Sequence, residues 1–149
     1  MVHAGFFDNI PLFRVSPGFL VQFGISLDPA MNKRFGENIR DDPSPGIPFR
    51  KGLMSFAGYG KDSRSTQVFI SYEGVGHLGK PTSPWETPFG EVTRGMEAVE
   101  AFYGGYKDNV DQGQLHSKGK PYLDEQFPKL DYLQSCELVR RPRPAKTAP

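Results

Sequence analysis

The chain has 149 residues, and its 18 basic and 17 acidic side chains leave a formal net charge of +1. This length is typical of one domain, and the near-neutral charge predicts no nucleic-acid partner and no attraction to an anionic membrane. A single cysteine excludes an internal disulfide, and no apolar stretch reaches the roughly 18 to 20 residues of a membrane span. No targeting segment is visible, so the default expectation is a cytoplasmic protein.

Glycine and proline predict a fold of short strands and many turns. The sequence has 17 Gly and 14 Pro, while 12 Phe and 6 Tyr supply large buried areas. We therefore predict a mostly β domain over residues 1–139. The basic, proline-rich segment 140–149 is expected to be a disordered, solvated tail.

The stretch FFDNIPLFRVSPGFLVQFG predicts a β-hairpin, because β-forming residues lie on both sides of a Pro-Gly turn signal. Arg14 and Gln22 are polar exceptions in this apolar run. A three-residue loop would place Gln22 opposite Arg14 on the same face of the hairpin, whereas a two-residue loop would pair Arg14 with Val21.

The remaining chain alternates between loops and short strands. A long surface loop with a short extended piece is predicted at 25–52, and irregular segments are predicted at 73–88 and 104–130. One clear helix is predicted at about 94–103, with Thr93 as its N-cap. Strands are predicted at 53–60 (running into a glycine-broken loop), 66–72, 89–92 and 131–139.

Several motifs fail a chemical test. The glycine-rich GYG is not followed by a helix with Lys-Ser/Thr, so it is not a phosphate loop. The segment DNVDQG places Val110 and Gln112 at ligand positions of a calcium loop, and Gly119 stands where that loop needs a bidentate Glu. The three histidines are too scattered for a zinc site, and no nucleophile elbow supports a hydrolase. We predict no metal and no cofactor.

Four segments occur in a specific order: FFDNIPLFRVSPGFLVQFG, KGLMSFAGYGKDSRSTQVFIS, HL and PFGEVTRGMEAVEAFY. From about residue 5 to 103 this order resembles the cyclophilin family of peptidyl-prolyl cis-trans isomerases, with its patterns F-x-R-V-x-P-G-F-x-x-Q-G, G-x-L-S-M-A, S-Q-F-F-I and F-G-x-V-x-x-G-M-x-V-V. The resemblance implies an antiparallel β-barrel that accelerates rotation about X-Pro bonds and assists protein folding. It implies proline-containing segments of client proteins as partners.

The resemblance also implies site residues. Arg14 stands at the family's catalytic arginine, and Gln22 at the glutamine that holds it. The substrate-binding positions are the pocket-lining Phe19, Leu20, Phe69 and Leu78, the backbone contacts Ala57 and Gly58, the groove wall Gln67, and His77.

Physical chemistry explains why such residues suit the reaction. Rotation about an X-Pro bond crosses a barrier of roughly 18 to 20 kcal/mol that amide resonance creates. In the twisted state the prolyl nitrogen regains a lone pair. A fixed guanidinium aimed at that nitrogen in an apolar slot stabilises the twisted form more than either planar form.

The residues alone also allow plainer interpretations. Arg14 could be an edge-strand arginine with its head in water, and Gln22 and Gln67 could be polar positions on a half-exposed sheet. The apolar pocket residues would be core in either case, and Gly58 could serve backbone conformation only. At the level of function, the alternatives are a non-catalytic proline-peptide binder or structural subunit completed by a partner, and a fragment with no function of its own.

The chain departs from the family pattern at several positions. Phe13 replaces the histidine before the arginine, and His77 replaces a tryptophan, which implies weak binding of cyclosporin-type macrocycles. Glu86 stands near the position of a pocket-side histidine, in a loop that is longer by KPTSP, and Trp85 could partly replace the lost aromatic wall.

Family members also carry two strands and a helix before the segment that matches GFFDN. We therefore expect a barrel that is incomplete at the N-terminus, with unpaired edges and a final strand that lacks its family neighbour. A truncated product, a partner that completes the sheet, or an open sheet that tolerates the loss would each account for this.

Overall fold

A computed structural model describes residues 1–80 and 83–139, so the predicted tail at 140–149 lies outside the described residues. Antiparallel strands form its framework. They are β1 (Ile10–Pro11), β2 (Arg14–Ser16), β3 (Leu20–Phe23), β4 (Leu53–Phe56), β5 (Val68–Ser71), β6 (Pro88–Glu91) and β7 (Tyr132–Leu133). No helix in this part of the chain is long and apolar enough to cross a membrane.

The strands form two antiparallel sheets. Five of them lie in the order β2-β3-β5-β4-β6, and β1 pairs separately with β7. Within the described residues the larger sheet is open, with β2 and β6 at its edges, as the predicted incomplete barrel requires. The final strand β7 has a neighbour in β1, because Ile10 lies opposite Leu133.

The β2–β3 hairpin has a three-residue loop, one of the two alternatives that the sequence allowed. The Phe19 N–H donates to the Ser16 carbonyl at 3.0 Å. Pro17 and Gly18 lie between them, and Gly18 has a φ of +73°, which a turn of type II requires at its third position. The loop pairs Arg14 with Gln22, and this excludes the two-residue alternative.

The prediction of one clear helix is wrong in number. Within residues 1–80 and 83–139 there are four α-helices: α1 (Pro29–Phe35), α2 (Met96–Glu100), α3 (Gln112–Lys118) and α4 (Lys120–Gln126). Helices α1, α3 and α4 lie in segments predicted as loops. Side-chain caps stabilise two of them, because Asp28 accepts from the Ala30 N–H at 2.8 Å and Asp111 accepts from the Gln114 N–H at 2.7 Å.

The helix predicted at 94–103 is shorter than expected. It spans Met96–Glu100, and its N-cap is Gly95 rather than Thr93. Gly95 has a φ of +81°, a left-handed conformation that prevents the helix from starting earlier. The last strand is also shorter than the predicted 131–139, because its partner β1 has only two paired residues.

Three apolar clusters form the core. One lies on the face of the larger sheet that is opposite the site described below, and it includes Phe6 and Val21. A second joins helices α3 and α4 to the sheet through Phe13, which is 1% exposed and packs with Leu115 and Leu123. Phe13 is therefore a core residue that packs these helices against the chain just before β2. The third cluster underlies the site.

Candidate active site

A groove of about 420 Å³ runs across the larger sheet, and nine of the ten predicted site residues line it. Three are polar: Arg14, Gln22 and Gln67. Four are apolar: Phe19, Leu20, Phe69 and Leu78. Two come from the loop after β4: Ala57 and Gly58. The tenth, His77, stacks on the Phe19 ring with 5.7 Å between ring centroids.

Strand register brings the central residues to one face. Arg14 of β2 lies opposite Gln22 of β3, and Gln22 lies opposite Phe69 of β5. Because side chains opposite each other in neighbouring strands point to the same face, these three form a row across the sheet. Leu20, two residues before Gln22, shares this face.

Three contacts hold the guanidinium of Arg14. Its Nη1 donates to Gln22 Oε1 at 3.2 Å, and its Nε donates to Asp108 Oδ1 at 2.5 Å. Its central carbon also lies 5.5 Å from the centroid of the Phe19 ring, within range of a cation–π interaction. The side chain of Arg14 is 31% exposed, so it is neither a free surface arginine nor a buried one.

A chain of amide hydrogen bonds orients Gln22. Its Nε2 donates to Gln67 Oε1 at 2.7 Å, and Gln67 Nε2 donates to Gln112 Oε1 at 3.0 Å. Gln22 is 6% exposed, so these partners satisfy an amide that water does not reach freely. The series thus links Arg14 to the first turn of α3.

Apolar side chains form the floor of the groove. Leu20 and Phe69 are 3% and 1% exposed, and Phe69 stacks on Phe49 with 5.5 Å between ring centroids. Leu78 packs against the same cluster. This floor offers a slot of the kind that a proline ring fills.

The loop after β4 has a packing role as well as a place in the groove. The Ala57 N–H donates to the Gln67 carbonyl at 2.9 Å, so this amide is not free to hold a peptide. A Cβ on Gly58 would lie 2.9 Å from Trp85 Cδ1 and 3.1 Å from Ser63 Oγ. Gly58 therefore lets the tryptophan approach the backbone closely.

Sequence reasoning missed several groove residues. Gln112 lines the groove from α3, and Asp108 contacts Arg14 from the preceding loop. Both belong to DNVDQG, which we tested only as a calcium loop. The remaining residues that were not predicted to contact substrate are Asn38, Tyr59, Ser63, Ser65 and Glu86.

Glu86 enters the groove from a short 3-10 turn at Pro84–Glu86. Its side chain is half-buried, and this burial raises the pKa of the carboxyl above its usual range. Among residues 1–80 and 83–139, no three His, Cys, Asp or Glu side chains converge to hold a metal. The groove is thus an apolar slot with a fixed guanidinium on one wall and a carboxyl on another.

Comparison with known proteins identifies relatives of this chain. A family model described as "Cyclophilin type peptidyl-prolyl cis-trans isomerase/CLD" matches residues 1–121. "Peptidyl-prolyl cis-trans isomerase-like 1" of Gibberella zeae is 32% identical over 110 residues, which cover 67% of this chain and 61% of the relative. "Peptidyl-prolyl cis-trans isomerase A" of Dickeya dadantii is 26% identical over 142 residues, which cover 94% of this chain and 70% of the relative.

A solved structure has a similar fold. The cyclophilin type peptidyl-prolyl cis-trans isomerase of Cryptosporidium parvum, crystallised in the presence of the dipeptide Ala-Pro, aligns with a TM-score of 0.54 and 21% identity. The alignment covers 68% of this chain and 67% of that one. The chain spans about three fifths of the length of the Gibberella relative. Its sequence match and its fold together place it in the cyclophilin-type peptidyl-prolyl cis-trans isomerase family.

Proposed function

We propose that the chain is a peptidyl-prolyl cis-trans isomerase whose site is the groove described above. One observation carries the proposal: Gln22 and Asp108 hold the guanidinium of Arg14 at the wall of a slot with an apolar floor. The substrates would be proline-containing segments of client proteins, and the reaction would assist their folding.

The reaction needs no covalent step. Leu20, Phe69 and Leu78 would hold the proline ring, so that the peptide on one side of the bond can rotate against a fixed ring. As the amide twists, its nitrogen becomes pyramidal and regains a lone pair. The guanidinium of Arg14 would then donate to that nitrogen, and this stabilises the twisted state more than either planar one.

Gln22 would act by orienting Arg14. Its Oε1 accepts from Arg14 Nη1, and its own amide is fixed by Gln67. A guanidinium that is already oriented does not lose side-chain freedom at the moment of reaction, so its full electrostatic effect is available in the twisted state. The Ala-Pro dipeptide present with the Cryptosporidium relative supports an Xaa-Pro unit as ligand here.

The direct test is the rate of cis-to-trans conversion of a short X-Pro peptide. We expect acceleration by the wild-type chain and at least a tenfold loss of kcat/KM in Arg14→Ala, corresponding to about 1.4 kcal/mol of transition-state stabilisation. Arg50→Ala is the matched control, because Arg50 pairs with Glu91 outside the groove. All samples must show the same circular dichroism spectrum. A folded wild-type chain without acceleration would contradict the proposal.

A second candidate is a non-catalytic proline-peptide binder whose sheet is completed by a partner protein. It is favoured by the open edge of the larger sheet within the described residues, where Phe89 of strand β6 is 55% exposed. Peptide binding without acceleration, by a chain that stays monodisperse only together with another protein, would support this candidate over the enzyme.

A further inference from the structure

Glu86 differs from the other charged group of the groove in that no counter-ion contacts it among the described residues. Among the described residues, the groove is lined by two charged side chains, Arg14 and Glu86. Asp108 compensates the charge of Arg14 at 2.5 Å. None of the ion pairs formed within residues 1–80 and 83–139 involves Glu86. Ionised Glu86 therefore gives the groove one negative charge that no side chain in the described part of the chain pairs with.

The position of Glu86 strengthens the interaction of its carboxylate with a charged ligand in the groove. The side chain is half-buried, so it has lost part of its hydration, and burial raises the pKa of its carboxyl. A carboxylate in this situation gains more from a nearby cation than a fully hydrated one does, because screening by water is weaker. Because screening is weaker, the carboxylate also repels a second anion more strongly.

The surface around Trp85 also carries a net negative charge. A cavity of about 590 Å³ is lined by Trp85, the residue before Glu86, and Trp85 packs against Gly58 of the groove. Asp41, Asp42 and Asp62 line this cavity with one cation, Lys61. Arg64 pairs with both Asp41 and Asp42, so the five charges together leave one negative charge. A peptide that leaves the slot over Trp85 thus meets a second weakly acidic surface.

We propose that Glu86 makes the groove select proline segments that carry Lys or Arg beside the proline over segments that carry Asp or Glu. The inference rests on the proposed function, because it assumes that a proline-containing peptide occupies the slot. It names the charge of the preferred substrate, which neither the family match nor the fold determines. Glu86 is accordingly a specificity-determining residue.

The test uses matched peptides that differ only at one residue next to proline. In one set the residue before proline is Lys, Gln or Glu, and in a second set the residue after proline varies in the same way. For each peptide, isomerisation is measured by NMR exchange spectroscopy and binding by titration. We expect the Lys peptide to exceed the Glu peptide about fivefold in kcat/KM in at least one set, which corresponds to roughly 1 kcal/mol.

Two variants of Glu86 make the test specific. Glu86→Gln keeps the size of the side chain and should bring the Lys-to-Glu ratio close to one. Glu86→Lys should invert it. The matched control is Glu97→Gln, which removes the same charge from an exposed position on α2 and should leave the ratio unchanged. Higher salt should shrink the wild-type ratio, since the groove is open to solvent.

The outcomes separate this inference from the proposed function. Acceleration of all peptides without charge preference would overturn the inference and leave the isomerase intact. Absence of acceleration would overturn the proposed function, and the binding titrations would then decide the role of Glu86. A Lys-to-Glu binding ratio that persists in Glu86→Gln would also overturn the inference.

Discussion

Asp108 and Arg14 form a 2.5 Å ion pair across 94 positions of sequence, and this contact joins the loop before α3 to the wall of the groove. The carboxylate accepts from Nε, while Gln22 accepts from Nη1. The guanidinium is therefore held at two of its three nitrogens. This arrangement fixes the plane of the group that we assign to catalysis.

Replacement of Asp108 should lower activity more than stability. The side chains of Asp108 and Arg14 are 59% and 31% exposed, so Asp108→Asn should cost less than about 1 kcal/mol of unfolding free energy. A less well oriented guanidinium should lower kcat/KM by roughly threefold to tenfold. Urea unfolding and the peptide isomerisation assay measure the two effects.

The same variant separates two roles for Asp108. If the carboxylate served mainly to neutralise Arg14, its removal would raise the rate, because the positive charge would act on the prolyl nitrogen without competition. A faster variant would therefore contradict the positioning role. Asp124→Asn is a suitable control, since it breaks an exposed ion pair with Lys120 on α4.

Gln67→Ala should disturb the site through Gln22. It removes the acceptor of the Gln22 amide, and Gln22 is 6% exposed. A buried amide N–H without an acceptor destabilises the folded state by about 1 to 3 kcal/mol, so the unfolding free energy should fall by this amount. Gln114→Ala is the matched control, because the Gln114 side chain accepts at Oε1 from the exposed Lys118 side chain on the surface of α3. Equal unfolding free energies of Gln67→Ala and Gln114→Ala would contradict the inference that Gln67 satisfies the buried amide of Gln22.

Gly58→Ala should displace the tryptophan. The added Cβ would lie 2.9 Å from Trp85 Cδ1, closer than normal packing allows. We expect a loss of about 1 to 3 kcal/mol in unfolding free energy, as for other overpacked sites. Because the sequence contains one tryptophan, its fluorescence reports the displacement directly.

Gly60→Ala provides the control for that experiment. A Cβ on Gly60 would meet nothing within 4 Å, although the residue lies in the same loop. The fluorescence spectrum of Gly60→Ala should match that of the wild-type chain, and its unfolding free energy should agree to within about 0.5 kcal/mol. Similar losses in both variants would mean that loop flexibility, rather than contact with Trp85, explains the effect.

Glu86 should contribute a pH dependence of opposite sign to that of most carboxyl groups. Burial raises its pKa in the folded chain above the ordinary value of 4.5. The folded state therefore binds this proton more tightly than the unfolded state, and stability falls as the pH rises from that value through the raised pKa. Glu86→Gln should remove this slope, so the variant should gain stability relative to wild type as the pH rises above the ordinary value of 4.5.

The measurement is the difference in unfolding free energy between wild type and Glu86→Gln at several pH values. Taking the difference removes the contribution of other carboxyl groups, such as Glu91, whose pKa is lowered mainly by its hydrogen bond to Arg50. Glu97→Gln should give a flat difference over the same range. A flat difference for Glu86→Gln as well would show that its carboxyl is hydrated in the folded chain.

Local patterns predicted the central sheet well. The turn at Pro17-Gly18 set the register of the first hairpin, and the strands near 53, 68 and 88 began within about two residues of their predicted positions. The helices were predicted poorly. Helix α3 begins at Gln112 after its N-cap Asp111, yet its polar sequence has few apolar side chains to signal a buried face.

The sequence by itself determined the family resemblance and the β framework, because the two-residue period of a strand and its turn signals act over short distances. It left two partners open for Arg14, and the loop in the structure selected Gln22. Only the tertiary structure decided which groups complete the site. Asp108 contacts Arg14 and Gln112 lines the groove from a segment with no regular pattern, and both contacts depend on how α3 packs on the sheet. Such packing joins residues by position in space, which local propensity does not encode.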